Sequence, residues 1–243
     1  MYQSDTMTNI VDELIYFRTI RRAKQVIFRV NPLKGIEVVV PKGVFKHQLD
    51  KIILEKSESI WFKKAVSQLT KYRKQLTPDT INLGCSKEKL IISYETTAAN
   101  SAPHILETDN NRIQITTNSN DAMCHIDLLH KWLQVKAENV LVPLVRNISS
   151  STNIRFKKVK IKFQKNSWGT CSIRKNINLN RNLIFLPDNL IEYVILHELC
   201  HIKFLNHSLE FWELLEKYVP DWKIVKEELK HKGGILIPAW AMV

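Results

Sequence analysis

The chain has 243 residues, of which 44% are apolar, and carries a net charge of +12 with a pI near 9.5. That is enough apolar side chain for one large or two modest cores. The four cysteines (Cys85, Cys124, Cys171 and Cys200) show no C-x-x-C spacing, which excludes a disulfide framework and suits reduced thiols. Met1–Asn9 lacks the apolar core of a signal peptide, and the longest apolar run, Ile235–Val243, is interrupted by Pro238 and too short to cross a bilayer. These features lead us to expect a cytoplasmic protein with no membrane partner.

In chain order, Leu14 to Pro41 holds short β-rich runs around Ile15 and Phe17, Val26 to Val30, and Ile36 to Val40. The turn-like stretch Asn31 to Gly35 predicts a hairpin or meander. Phe45 to Tyr72 reads as one helix, with Leu49, Ile52, Ile53, Ile60 and Trp61 inward. Strands are expected at Ile81–Gly84, Leu90–Tyr94 and Arg112–Thr116, separated by loops at 96–103 and 117–120. Asp121 to Leu141 has the period of a long helix, which Pro143 should kink or end, leaving Ser149–Thr152 as a surface loop. His125 and His130 read as ordinary helix residues. Val159 to Gln164 alternates as a strand with Val159, Ile161 and Phe163 on one face. A hairpin follows from Trp168 to Asn180. The last helix should run from Asp221 to Gly233.

The most informative stretch is Ile191 to Trp212, whose centre, His197-Glu198-Leu199-Cys200-His201, is an H-E-x-x-H pattern. Residues four apart share a helix face, so His197 and His201 can reach one metal ion, with Glu198 beside them to take a proton from water. The expected helix runs from Asn189 to Leu205, with Asn189 as N-cap and Glu192 completing a capping box. Asn206 is placed to turn the chain in the left-handed conformation, so that His207 converges as a third ligand. Ser208 then caps a further helix holding Phe211, Trp212, Leu215 and Tyr218. Three imidazoles with one open position are the catalytic kind of Zn2+ site. Cys200 reads as packing, because the two histidines already occupy the metal face. No residue can be assigned to oxyanion support; Tyr218 is the one candidate, and it reads as core.

The spacing of His197, His201 and His207 equals that of the metzincins, but Phe204 stands where they have glycine and no Met-turn is evident. The closer resemblance is to the YgjP-like metallopeptidases, relatives of the SprT-like and WLM zinc proteases. It rests on Ser167-Trp168-Gly169-Thr170-Cys171-Ser172, Ile177 to Asn180, Tyr193 to His201, Asn206-His207-Ser208 and Phe211-Trp212, with Arg21 to Lys24 and Val38 to Pro41 nearer the start. Thr170 departs mildly from the serine usual in that family.

The resemblance implies an α+β protein: a small β-rich module over 1–120, then a zincin-like metallopeptidase domain over 121–243, its H-E-x-x-H helix packed on an antiparallel sheet. It also implies a zinc metallopeptidase acting on a peptide or protein substrate, with Zn2+ on His197, His201 and His207 and Glu198 as general base. By the same resemblance, Trp168 and Gly169 border the cleft, where glycine allows close backbone approach and tryptophan gives an apolar wall. A buried tryptophan and a bulge glycine that only shape the sheet is the other reading. Two functions from other classes stay open: a metal-dependent nucleotide or phosphate-ester hydrolase, and a non-catalytic basic module with a structural zinc. The first lacks a phosphate-cradling glycine loop, and the second has no use for Glu198.

Positive charge is concentrated just before the metal helix: residues 151–180 carry eight Lys/Arg and no acid. Lys158, Lys160 and Lys162 share one strand face, which keeps an exposed edge from pairing or binds nucleic acid nonspecifically through its phosphates. If the face binds nucleic acid, labelled DNA should bind at low salt and be released as salt rises. A Lys158/Lys160/Lys162→Glu triple variant should then bind markedly less; equal affinity of the two proteins would limit these lysines to edge protection.

Overall fold

The computed structural model describes residues 15–31, 35–97, 101–108, 110–118 and 122–243. The chain forms two compact units, Met1–Thr77 and Pro78–Val243. The N-terminal stretch Met1–Asn9, the tip of the turn expected at 31–35, and parts of the loops expected at 96–103 and 117–120 fall outside the described residues.

In the first unit, β1 (Ile15–Ile20), β2 (Ile27–Asn31) and β3 (Gly35–Pro41) form a sheet in the order β1-β3-β2. β2 and β3 make the expected antiparallel pair, whereas β1 pairs parallel with β3, so the three strands are not a meander. β3 carries the run Ile36 to Val40, with Val38, Val39 and Val40 all buried. A strand apolar on both faces takes the centre, and β1, with its exposed middle, takes an edge. The single helix expected over 45–72 is two, α1 (Lys46–Ser57) and α2 (Ile60–Leu76). The break falls at Glu58-Ser59, where the Ser59 hydroxyl donates to the Lys56 carbonyl and accepts from the Phe62 amide. Re-phasing at this break exposes Ile60 (86%) and leaves Trp61 half-exposed, against expectation. Phe62, Ala65 and Leu69 turn inward instead, against Ile36, Ile15 and Phe28.

The second unit begins with a sheet of β4 (Thr80–Asn82), β5 (Lys89–Thr96), β6 (His104–Thr108) and β7 (Arg112–Thr117), in the order β4-β5-β7-β6. The edge strand β6, of which only Ile105 is even partly buried, has too weak an apolar alternation to be read from sequence. Helix α3 (Ala122–Thr152) runs straight through Pro143 and converts the expected 149–152 loop into its last turn. Proline removes one hydrogen bond and crowds one carbonyl. Against that stand Leu133, Ala137, Leu141, Val145 and Ile148, all buried at helical spacing on both sides of it. The helix ends at Asn153, which takes the left-handed conformation (φ 54°).

β8 (Lys158–Lys162), β9 (Gly169–Cys171) and β10 (Asn176–Asn180) form the second sheet of this unit, in the order β8-β10-β9. It is mixed, not wholly antiparallel: β10 runs parallel to β8 and antiparallel to β9. β8 is therefore an edge strand whose three lysines are exposed, and Phe163 lies beyond it, 37% exposed and beneath the Arg181 guanidinium. A buried 3-10 turn, Arg181–Phe185, leads into α4 (Asp188–Cys200), followed by α5 (Leu209–Tyr218), α6 (Trp222–Leu236) and a final 3-10 turn, Ala239–Met242. α6 passes through Gly233, where a stop was expected, because Gly233 is buried against the Trp168 ring; a Cβ there would lie 2.8 Å from Trp168 Cζ2.

The tail docks on α3. His130 Nε2 donates to the Trp240 carbonyl at 2.7 Å. Burial pushes this imidazole below its ordinary value, assisted by Arg181 and opposed by the hydrogen bond and Asp127. The unfolded chain therefore takes up a proton at His130 as pH falls below about 6.5, while the folded chain resists it, so stability declines with acidification. The urea midpoint should drop between pH 7 and 5, and His130→Gln, which keeps an N–H for Trp240, should drop less. Identical slopes would remove His130 as a contributor.

Candidate active site

α4 is apolar on nearly every side, with Leu190, Ile191, Val194, Ile195, Leu196 and Leu199 all buried, so it is locked among its neighbours and holds its polar residues firmly. Its start differs from expectation. Pro187 is the N-cap and Asp188 the first helical residue, whose charge suits the positive end of the helix. Asn189 lies inside the first turn and donates to Glu228 on α6. Its end differs too: the helix stops at Cys200, and His201 is the C-cap. A turn follows, with Ile202 N–H bonded to the Leu199 carbonyl and Lys203 and Phe204 N–H to the Cys200 carbonyl. Asn206 is not left-handed; the turning is spread over residues 201–206, so no single residue needs a positive φ.

The turn brings the three histidines together. His197 Nε2 lies 3.2 Å from His201 Nε2 and 3.0 Å from His207 Nε2, and the ligand atoms of all three lie within 4.8 Å of one another. Nitrogens at 2.0–2.1 Å from a tetrahedral zinc ion would be about 3.3 Å apart, close to the two separations measured from His197. The tautomer fits as well: His201 Nδ1 is 3.0 Å from the Phe204 carbonyl, which can only accept. Nδ1 therefore carries the proton, and the Nε2 lone pair is free for a metal.

An aromatic seat fixes the rings. Phe211, fully buried on α5, lies 4.6–5.0 Å from the centroids of all three imidazoles. Trp212 stacks on His207 at 5.3 Å, and Trp222 stacks on Trp212 at 4.1 Å. Ser208 is the N-cap of α5, as expected, and sets the phase that turns Phe211 inward. The role of Trp222 as a second layer was missed; its position at the first residue of α6 gave no periodic signal.

Glu198 is 5% exposed, and its Oε2 has no hydrogen-bond partner among the described residues. Burial raises its carboxyl to about 8, while burial, with the neighbouring His201, His207 and Lys226, lowers His197 to about 3. The imidazole stays neutral and able to ligate, whereas the carboxyl is short of a nearby cation, which a divalent ion on the imidazoles would supply.

β9 stands directly against this carboxyl. A Cβ on Gly169 would lie 2.7 Å from Glu198 Cγ and Oε1. The loop before β9 is clamped by Asn180, which donates to the Gln164 and Ser167 carbonyls and whose amide donates to the Trp168 carbonyl at 2.8 Å. Trp168, Gly169, Val194, His197 and Glu198 line one cavity of about 370 Å³, with Lys226 and Leu229 of α6. Cys171, on the same face of β9 as Gly169, is kept protonated by burial and by Glu198, which push its thiol up to about 11. Cys200 is fully buried packing. Tyr218, expected in the core, is 36% exposed and donates to the Thr152 carbonyl at 3.3 Å; it is not part of the cavity lining.

Gly169→Ala should displace the Glu198 carboxyl but leave the histidines in place. Peptide hydrolysis is expected to fall about a hundredfold with metal content unchanged. Wild-type activity in this variant would mean that β9 retreats without cost.

Comparisons with known proteins cover different shares of the chain. The uncharacterised protein MJ0123 of Methanocaldococcus jannaschii is 36% identical over 86 residues, 35% of this chain and 76% of that protein. Among solved structures, the metallopeptidase zymogens abylysin of Pyrococcus abyssi (24% identity, TM-score 0.36) and jannalysin of M. jannaschii (28%, 0.35) each align with 38% of this chain. The alignments span 94% and 95% of those two chains. The family described as YgjP-like, metallopeptidase domain, matches residues 24–232. On that match, the chain belongs to the YgjP-like metallopeptidase family and is a hydrolase of the protease class.

Proposed function

We propose that this protein is a zinc-dependent endopeptidase in which His197, His201 and His207 hold Zn2+ and Glu198 is the general base. The reading is carried by one observation: three imidazole Nε2 atoms meet beside the unpartnered Oε2 of a buried glutamate that lines an open cavity. Zinc, when bound, supplies a Lewis acid that acidifies water and polarises a carbonyl. Glu198 accepts the proton of the attacking water and delivers it to the leaving amine. Burial suits this task, because a carboxyl freed of water holds a proton long enough to pass it on.

The substrate chain is proposed to lie extended along β9. In the antiparallel pairing with β10, Thr170 faces Asn178, while Trp168 and Ser172 bond across to Asn180 and Asn176. The alternation of such a ladder turns the main-chain groups of Gly169 and Cys171 away from β10 towards the open edge. An edge strand offers hydrogen bonds to any sequence. Trp168 and Gly169 are the proposed substrate contacts, and the catalytic part is proposed to lie within 121–243, to which every residue of the site belongs. A cytoplasmic location remains part of the same proposal.

Glu198→Gln is expected to lose about a hundred- to ten-thousandfold in peptide hydrolysis while elemental analysis finds its zinc retained. His207→Ala should lose both. Equal hydrolysis by wild type and Glu198→Gln would refute the mechanism. Chelation should abolish activity and added zinc restore it without refolding, which separates a catalytic ion from a structural staple.

A further inference from the structure

The cavity beside Glu198 has a feature that the reaction itself does not require. Its inner walls are apolar: Val194 and Tyr193 of α4 are buried, as is Leu229 of α6, and Trp168 is pinned against Gly233. Besides Gly169, His197 and Glu198 of the site already described, its remaining lining residues are Lys226 and Lys230, four residues apart on α6 and so on one face of that helix, one turn from each other. Both are exposed.

The two lysines differ in how they are occupied. Lys230 has an acidic neighbour, Glu227, at 3.4 Å, which His231 shares. Lys226 has no carboxylate partner among the described residues. Its ammonium lies over the Trp212 and Trp222 rings, at 4.7 and 5.7 Å. A cation held on aromatic faces keeps its N–H donors free for a further acceptor.

We propose that this cavity is a side-chain subsite that selects a carboxylate next to the scissile bond, with Lys226 as the principal specificity-determining residue and Lys230 as its second charge. The proposal rests on the peptidase reading only in taking a peptide as the occupant. The apolar walls receive the methylene stem of a glutamate, and the ammonium group at the mouth receives its oxygens. A lysine or arginine in the same place would meet like charge, so the site discriminates by repulsion as well as attraction. The cavity, at about 370 Å³, falls within the ordinary range for ligand pockets, about 300–1,000 Å³. The same carboxylate could come from a side chain or from the C-terminus of a short peptide.

Binding and turnover are best measured separately, on the full chain. In the Glu198→Gln protein, which binds without cleaving, anisotropy of dye-labelled, C-terminally amidated peptides carrying Glu, Gln or Lys at one position reports the side-chain preference. A parallel set ending at that position with a free carboxylate reports the terminal one. Glu is expected to bind about tenfold or more tighter than Gln, and Lys weakest. Adding Lys226→Glu and Lys230→Glu should invert the Glu and Lys order, and Lys226→Met, which keeps the stem, should erase most of the preference. A preference in either peptide set supports the subsite and identifies the source of the carboxylate. Equal binding of Glu and Gln in both sets, or an order unchanged by the double substitution, overturns it. Hydrolysis of the same peptides by the zinc-loaded wild type is scored independently. Selective binding without any cleavage would remove the peptidase reading and leave the subsite standing; cleavage without a Glu preference would do the reverse.

Discussion

The missing Cβ at Gly169 is the constraint on which the arrangement of the site depends. It lets β9 approach α4 until the strand backbone lies against the Glu198 side chain, where any other residue would drive a carbon to within 2.7 Å of the carboxyl. The close approach strips the carboxyl of water, holds it in one rotamer and puts the free edge of β9 alongside the convergent histidines. Burial, orientation and access to an extended chain thus follow from one contact. The rest of the second unit keeps that contact tight: Asn180 clamps the loop before β9, and α6 holds Trp168 through a second close approach, at Gly233.

The histidines are organised differently, by rings and not by hydrogen bonds to acids. Phe211 lies beneath all three, Trp212 and Trp222 are layered behind His207, and the Phe204 carbonyl tethers His201 Nδ1. Burial lowers His197 and His207, which keeps their nitrogen lone pairs available to a metal at neutral pH. Glu198 is raised by burial, so a cation placed on the imidazoles would favour its ionised form.

The charge of the chain also takes on a spatial sense. The lysines of β8 stand at one edge of the three-stranded sheet and β9 stands at the other. A charged edge resists pairing with stray strands, while the uncharged edge at Gly169 stays open for it.

Much of this was legible in the sequence because its determinants are local. The four-residue spacing of His197 and His201 places them on one helical face whatever surrounds them, and the apolar period of α4, the hairpin ending in Asn180 and the cap at Ser208 depend on neighbours a few residues away. What the sequence could not decide were the outcomes of competition between local preference and packing. Pro143 and Gly233 read as breaks, yet α3 and α6 continue through them, because buried side chains on both sides of Pro143 and the Trp168 ring against Gly233 outweigh the local cost. Asn206 lies in the turning segment but is not left-handed, because the turn is spread over several residues, and Asn189 falls inside α4 because the cap is Pro187. The parallel partner of β1, the shared seat of Phe211, the second ring layer at Trp222 and the placement of Lys226 beside the cavity all join residues distant in sequence. Only the tertiary structure brings those together, since a pattern along the chain records which face a residue presents but not what it will meet there.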